Sequence, residues 1–188
     1  KFNRLFGHTF PEPQAMLTKG KRIMDLQHPE KKMSKTVGGG VLLADDEATI
    51  ADHLKKAVTS SEPRVVREAF KAARAGERGE DRAWKGDENL QKQYAGLRNL
   101  FTILLSIGDD ETIARWEVAA DEGTVQFSEF KPALAKIISD HFADFRTRRS
   151  ELIQNTAYVD EVIADGAKRA ATVANATLLE VQQKMGLR

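Results

Sequence analysis

The sequence predicts a mainly α-helical fold, and two observations support this class. From Ile50 onward, apolar residues recur at spacings of three and four, which is the period of a helix that buries one face. Acidic residues, serine or threonine precede most of these periodic runs, and glycine follows several of them, as expected of helix caps. We therefore expect helices from about residue 45 to the end of the chain.

Length and composition limit the classes of protein to consider. At 188 residues the chain is long enough for one or two domains with a sizeable core. The absence of cysteine excludes disulfides and thiolate metal sites, and the four histidines lack the spacing of metal ligands. No apolar run approaches the roughly 18 residues of a membrane span, so we expect a cytoplasmic protein.

Positive charge is concentrated near the start of the chain. The first 35 residues hold eight lysines and arginines against three acidic residues, a net charge of +5, whereas the whole chain carries only +1. This asymmetry favours a small polyanion bound near that stretch over nucleic acid gripped along the whole chain.

Residues 14–27 are expected to form a short strand or loop in which Ile23 and Met24 are apolar anchors. This stretch leads into Lys32-Met33-Ser34-Lys35-Thr36 and the glycine run 38–40. Two lysines three residues apart supply compact positive charges, and the hydroxyl groups between and beside them supply neutral hydrogen bonds, a combination suited to phosphate. The same combination is also typical of a solvated loop.

The next segment predicts two helices. The acidic run 45–47 starts the first helix, and apolar positions at 50, 54, 57 and 58 carry it to about Thr59. Pro63 lies in the first turn of the second helix, which extends to Gly76. Four basic residues form a stripe on this second helix that is either a solvated face or an RNA contact: Arg64, Arg67, Lys71 and Arg74.

Residues 76–88 are predicted to be a loop, with Trp84 docked on a neighbouring surface because an exposed indole leaves a large apolar area in water. An apolar helix follows the loop. Asp109 or Asp110 caps the helix after that one, and Gly123 ends it.

The remaining chain predicts three more helical pieces. Ser128 caps a long helix that ends near three arginines, whose charges favour the helix C-terminus: Arg146, Arg148 and Arg149. Thr156 caps a shorter piece that ends near Gly166. A last helix runs from there to Met185, and its face of small residues predicts close packing deep in a bundle.

The run from Arg22 to Thr36 resembles the KMSKS signature of the class I aminoacyl-tRNA synthetases. More narrowly, it is similar to the tryptophanyl-tRNA synthetases, which carry the pattern R-I-M-x-L-x-x-P-x-x-K-M-S-K-S here. Thr36 replaces the last serine and keeps its hydroxyl, and Val37-Gly38 stands where Asp-Pro often follows. The G-x-x-N-L pattern of residues 96–100 and the ending Met185-Gly186-Leu187 also resemble this family.

The resemblance implies that the chain is the C-terminal half of such an enzyme and that the N-terminal catalytic half is missing. Residues 1–44 would be the end of a Rossmann-type α/β catalytic domain that bears the KMSKS-type loop. Residues 45–188 would be an α-helical anticodon-binding bundle. The resemblance therefore implies a tRNA contact as the alternative role of the three arginines at 146, 148 and 149. A homodimer formed through the missing half is implied as well.

The same resemblance implies a tryptophan–tRNA ligase that activates tryptophan with ATP and Mg²⁺ and passes it to tRNA(Trp). It assigns phosphate-stabilising catalytic roles to Lys32 and Lys35. The remaining implied contacts are hydrogen bonds to phosphate from Ser34 and Thr36, and backbone contacts with adenine from Ile23 and Met33. Two alternatives stay open: a non-catalytic tRNA- or protein-binding fragment or paralogue, and an enzyme similar to tyrosyl-tRNA synthetase.

Overall fold

Eight helices make up most of the described structure, a computed structural model that covers residues 1–18, 20, 22–34, 40–76 and 87–187. They are α1 (Phe2–Phe6), α2 (Glu47–Lys55), α3 (Pro63–Arg74), α4 (Glu88–Ile107), α5 (Asp110–Glu122), α6 (Phe127–His141), α7 (Ala143–Gln154) and α8 (Thr156–Lys184). Strand pairing in these residues is limited to one antiparallel bridge. The predicted mainly α class is confirmed, and the Rossmann-type origin of residues 1–44 stays a prediction.

Side-chain caps fix where several helices begin. The carboxylates of Asp46, Asp87 and Asp109 each accept the backbone N–H three residues later, which satisfies one of the free donors at a helix start. Gly123 ends α5 in the left-handed conformation at φ 72°, where a side chain would be strained. The predicted starts of α2 and α5 and the predicted end of α5 are therefore confirmed.

The chain divides into two compact units, residues 17–146 and residues 1–16 with 147–188. The first unit holds the core, which lies among α2 to α6. Aromatic rings meet at its centre: Phe101 lies 5.0 Å from Phe70 and 5.4 Å from Phe130, measured between ring centroids. Trp116 of α5 contacts Phe130 edge to face at 4.9 Å. These contacts join α3, α4, α5 and α6 in one apolar centre.

The second unit contains α1, most of α7 and α8. The Asn3 side chain accepts the backbone N–H groups of Thr9 and Phe10 and donates to the Phe10 carbonyl, so it folds the chain after α1 into a turn. Lys184, near the end of α8, donates to the His8 carbonyl and the Thr9 hydroxyl, both at 2.7 Å. Polar contacts therefore join the two ends of the chain within this unit.

Several predicted helix boundaries are wrong. The helix predicted to extend to about Thr59 is α2, which already ends at Lys55. The long helix starts at Phe127, one residue before Ser128, and ends at His141, so the three arginines lie in the separate α7. No break occurs near Gly166, because α8 is a single helix of 29 residues that Asn155 caps and that an ion pair between Asp165 and Arg169 supports.

The prediction that the last helix packs deep in a bundle is also wrong, since α8 has no buried residue. Its own unit offers only short segments beside it, too little chain to cover a 29-residue helix. Trp84 and most of its predicted loop lie outside the described residues. No helix in the described part of the chain is long and apolar enough to span a membrane.

Candidate functional site

Residues 23–33 form a tight reversal of the chain rather than a regular strand, and the lysine motif begins in its second half. Met24 and Lys32 lie opposite each other in an antiparallel bridge. Two hydrogen bonds flank this pair, from the Asp25 N–H to the Lys31 carbonyl at 2.9 Å and from the Met33 N–H to the Ile23 carbonyl at 3.1 Å. Met24 and Lys32 thus form the narrow, non-hydrogen-bonded type of pair, in which the two Cα atoms are about 4.5 Å apart.

A fully buried aspartate holds the turn between the two sides of this reversal. One carboxylate oxygen of Asp25 accepts the N–H groups of Gln27 and His28, both at 2.9 Å. The second oxygen is buried and has no hydrogen-bond partner in the described part of the chain. The sequence analysis did not single out Asp25, although an aspartate often accepts the N–H two residues later in a turn, and Pro29 follows four residues after it.

Helix α4 contacts the reversal on the side of Met24 that faces away from Lys32. Asn99 is only 4% exposed, and its side-chain oxygen accepts the Met24 N–H at 2.8 Å. The same amide donates to the Met24 carbonyl at 2.7 Å. One side chain therefore satisfies both backbone polar groups of Met24, much as a neighbouring strand would.

One turn earlier, Gly96 lets α4 approach a second backbone segment. A β-carbon at this position would lie 2.5 Å from the Val58 carbonyl oxygen, a distance that no side chain tolerates. Val58 in turn donates its N–H to the Leu26 carbonyl at 2.9 Å. The G-x-x-N spacing of residues 96 and 99 thus has a physical role, since both residues on this face of α4 fix the backbone of the reversal.

The structure places four of the six predicted site residues in this region. Lys32 is exposed, Ser34 is half-buried, and Ile23 and Met33 are half-buried against the core. Ile23 and Met33 lie together because of the hydrogen bond between their backbones. Lys35 and Thr36 lie outside the described residues, so their predicted roles stay predictions.

A pocket of about 240 Å³ opens beside the motif. Its lining consists of Met33 and Ser34 on one side and residues 40–43 on the other. A β-carbon at Gly40 would lie 2.9 Å from Cγ of Met33, so a larger residue at this position would require the Met33 side chain to move. Ligand pockets usually exceed about 300 Å³, so this pocket by itself is small for a ligand site.

The described residues offer no protein cage for a metal ion. No three histidine, aspartate or glutamate side chains converge among them. Mg²⁺ does not need such a cage, since it is usually bound through one or two carboxylates together with water and the phosphates of a substrate.

The basic stripe on α3 is largely engaged within the chain. Arg67 donates to the Asp121 carbonyl at 2.8 Å, and Arg74 pairs with Glu117 at 2.7 Å, so both reach to α5. Lys71 lies 4.0 Å from Glu68 on its own helix. These contacts favour a structural role for the stripe over an RNA contact.

Of the three arginines at 146, 148 and 149, Arg146 bonds to the end of α6, whereas the other two are exposed. Arg146 donates to the carbonyl oxygen and the hydroxyl of Ser139, at 2.6 and 3.1 Å, and so satisfies a carbonyl in the last turn of α6. This agrees with the predicted interaction at a helix C-terminus. Arg148 and Arg149 are exposed on α7, where the tRNA interpretation stays open.

Comparisons with known proteins agree with one another. The family described as class I tRNA synthetases (W and Y) matches residues 1–143. Over 190 residues the chain is 32% identical to the tryptophan–tRNA ligase of Leifsonia xyli subsp. xyli, covering 99% of this chain and 49% of the relative.

Two other relatives also align with this chain over only about half of their own length. The tryptophan–tRNA ligase of Wolinella succinogenes is 30% identical over all of this chain and 50% of its own length. Tryptophan–tRNA ligase 1 of Streptomyces coelicolor is 30% identical over all of this chain and 49% of its own length. The chain spans about half the length of the curated relatives it matches.

Proposed function

Because the chain belongs to the class I tRNA synthetases of the tryptophan and tyrosine group, we propose that it is the C-terminal part of a tryptophan–tRNA ligase. The activity belongs to the complete protein, in which this part supplies the lysine motif and a helical surface for tRNA(Trp). Tryptophan rather than tyrosine is favoured because the curated relatives quoted above are tryptophan–tRNA ligases.

The observation that carries the proposal is the placement of Lys32. This exposed lysine sits on a braced backbone at the end of the reversal, next to Met33 and Ser34, which line the pocket. A charged group on a backbone that is held in place can act on a developing charge without first being reorganised. A freely solvated loop would lack this bracing.

In the proposed reaction, the carboxylate of tryptophan attacks the α-phosphorus of ATP. A bond forms between a carboxylate oxygen and phosphorus, the bond to the bridging oxygen breaks, and pyrophosphate leaves with the electron pair. The aminoacyl group then passes to the terminal ribose of tRNA(Trp), with AMP as the leaving group. Lys32 and Lys35 stabilise the charge that builds on the phosphoryl oxygens and on the departing pyrophosphate.

The other motif residues bind and orient the nucleotide. Ser34 and Thr36 donate hydrogen bonds to phosphate oxygens, and the backbones of Ile23 and Met33 lie along the adenine. Mg²⁺ would arrive with the phosphates of ATP, whose charge it partly neutralises.

The test is ATP–pyrophosphate exchange with the complete protein, run with tryptophan and, separately, with tyrosine. We expect exchange with tryptophan only. Lys32→Ala should lower kcat by about 100-fold, with a much smaller change in the KM for ATP, because the lysine acts mainly in the transition state.

Lys31→Ala is the matched control, since Lys31 is also an exposed lysine but lies in the turn that its N–H closes with the His28 carbonyl, outside the bridge of Met24 and Lys32. Its kcat should stay close to that of the wild type. Exchange with tyrosine alone would identify a tyrosyl-type enzyme, and exchange with neither amino acid would leave a non-catalytic binding protein. Equal losses in the two lysine variants would overturn the role given to Lys32.

A further inference from the structure

The two hydrogen bonds between Asn99 and Met24 link a helix of the core to the lysine motif. Met24 lies directly opposite Lys32, and its own N–H and carbonyl point away from Lys32 toward α4, as the non-hydrogen-bonded pair requires. Asn99 therefore holds the strand partner of Lys32 by both of its backbone polar groups. In the described part of the chain, no other side chain bonds to the backbone of Met24.

The helix that carries Asn99 is itself fixed. Four apolar side chains of the same helix are completely buried and anchor it in the core: Leu97, Leu100, Phe101 and Leu104. Asn99 is only 4% exposed, so a water molecule has little room to replace its amide. The Asn99 side chain therefore fixes the position and orientation of the Met24 backbone relative to the core.

A second contact restrains the same backbone two residues further on. The close approach of Gly96 to Val58 places the Val58 N–H where it donates to the Leu26 carbonyl. Met24 and Leu26 are thus held from α4 at two points, one direct and one through Val58. The reversal cannot shift along α4 without breaking both restraints.

From this geometry we propose that Asn99 is a positioning residue for the proposed aminoacylation chemistry, acting through the Met24 backbone to fix Lys32. The inference rests on the proposed function for its kinetic consequence, whereas its structural part stands on the contacts alone. Asn99 touches neither substrate nor the reacting atoms. Its removal should let the backbone at Lys32 shift and should leave the binding energy of ATP largely unchanged.

The first experiment replaces Asn99 in the complete protein. Asn99→Leu keeps the branched shape of the side chain, with slightly larger terminal groups, and loses both hydrogen bonds, so the Met24 N–H and carbonyl are left without partners. We expect kcat for tryptophan-dependent exchange to fall by about 10- to 100-fold, the loss typical of a misplacement of about 1 Å, with a change of less than about threefold in the KM for ATP. The matched control is Leu134→Ala, a completely buried residue of α6 whose truncation destabilises the core without touching Met24.

A second variant tests the hydrogen bonds themselves. In Asn99→Asp an ionised carboxylate still accepts the Met24 N–H but repels the Met24 carbonyl. Its protonated form donates to that carbonyl again, and burial favours protonation. The ratio of kcat in this variant to kcat in the wild type should therefore rise as the pH is lowered from about 8 to 6. A role limited to packing would give a constant ratio.

Hydrogen exchange separates this inference from the proposed function. In Asn99→Leu the amides of Met24, Asp25 and Met33 should exchange about tenfold faster or more, while amides in α6 keep their protection. Leu134→Ala should instead raise exchange throughout the core. Hydrogen exchange tests whether Asn99 holds the Met24 backbone even if the complete protein shows no tryptophan-dependent pyrophosphate exchange and the proposed function fails. Unchanged protection at Met24, or equal losses of kcat in Asn99→Leu and Leu134→Ala, would overturn the positioning role.

Discussion

At the scale of single residues, short polar side chains determine where the backbone turns. Asp25 and Asn99 satisfy backbone groups of the reversal that carries Lys32, whereas Asp46 and Asp109 satisfy N–H groups at the starts of α2 and α5. Each of these contacts supplies an acceptor for a donor that has no partner in regular secondary structure. The two caps were predictable because their partners lie three residues away, and the bond between Asn99 and Met24 was not, because it spans 75 residues.

The two aspartate caps predict a stability that falls in acid. Hydrogen bonds from the Thr49 hydroxyl and amide lower the pKa of Asp46, and those from the Thr112 amide and hydroxyl lower the pKa of Asp109. A carboxyl group whose pKa is lower in the folded state stabilises that state above its unfolded pKa of 3.8, and this contribution is lost as the pH falls through the lower, folded pKa.

We therefore expect the thermal midpoint to drop as the pH is lowered below about 4. The double variant Asp46→Asn, Asp109→Asn keeps both caps, since asparagine also accepts the N–H, and should show a shallower acid transition. Thermal unfolding followed by circular dichroism between pH 7 and 2 measures this. Leu134→Ala is the control and should lower the midpoint at every pH by a similar amount. An unchanged acid transition in the double variant would contradict the prediction.

At the scale of secondary structure, α4 is the element that connects the core to the site. Its apolar face joins the aromatic centre formed with α3 and α6, and its G-x-x-N face meets the backbone at Val58 and Met24. The first face was predicted, as the apolar helix that follows the loop of residues 76–88. The second face was recognised only through the G-x-x-N-L pattern of the family resemblance. Its contacts could not be predicted, because a glycine in a sequence does not indicate which backbone segment approaches it.

Two glycine-to-alanine changes in helices should have opposite effects. In Gly96→Ala the new β-carbon meets the Val58 carbonyl oxygen at 2.5 Å, so backbone must move, and we expect a loss of about 1–3 kcal/mol in the free energy of unfolding. In Gly166→Ala nothing lies within 4 Å of the new β-carbon, and the better helix propensity should stabilise α8 by about 0.5–1 kcal/mol.

Urea unfolding measures both changes, with fluorescence for the core and circular dichroism for the helices. The two substitutions are chemically identical, so a difference in sign isolates the effect of the close approach at Gly96. Destabilisation of the same size at both positions would mean that the contact with Val58 does not limit this site.

At the scale of the whole molecule, the two units differ in how their helices are stabilised. The unit of residues 17–146 has a continuous apolar core, whereas α8 and the described part of its unit bury no side chain below the surface. Many apolar side chains of α8 are exposed, among them Val162, Ile163, Val173 and Leu178. Helices without tertiary burial are held mainly by their own hydrogen bonds and by local ion pairs.

This difference predicts unequal local stability in the 188-residue chain. Amides in the middle of α8 should exchange by local opening, at least about 100-fold faster than amides in the middle of α4, because opening α8 exposes little additional apolar surface. Hydrogen exchange measured by mass spectrometry, with peptides from both helices in one experiment, provides the comparison. Equal protection in α8 and α4 would contradict the prediction and would mean that the apolar residues of α8 are covered in solution.

The sequence by itself determined what depends on neighbours along the chain. The helical class, the starts of α2 and α5, the left-handed end at Gly123 and the kinship signalled by Arg22 to Thr36 all follow from short-range patterns. Only the tertiary structure decided that Asn99 and Gly96 brace the reversal, that Asp25 holds its turn, that the stripe on α3 meets α5, and that α8 is exposed. The reason is physical: a cap or a turn is satisfied within a few residues, whereas burial and long-range hydrogen bonds depend on which surface the folded chain brings alongside.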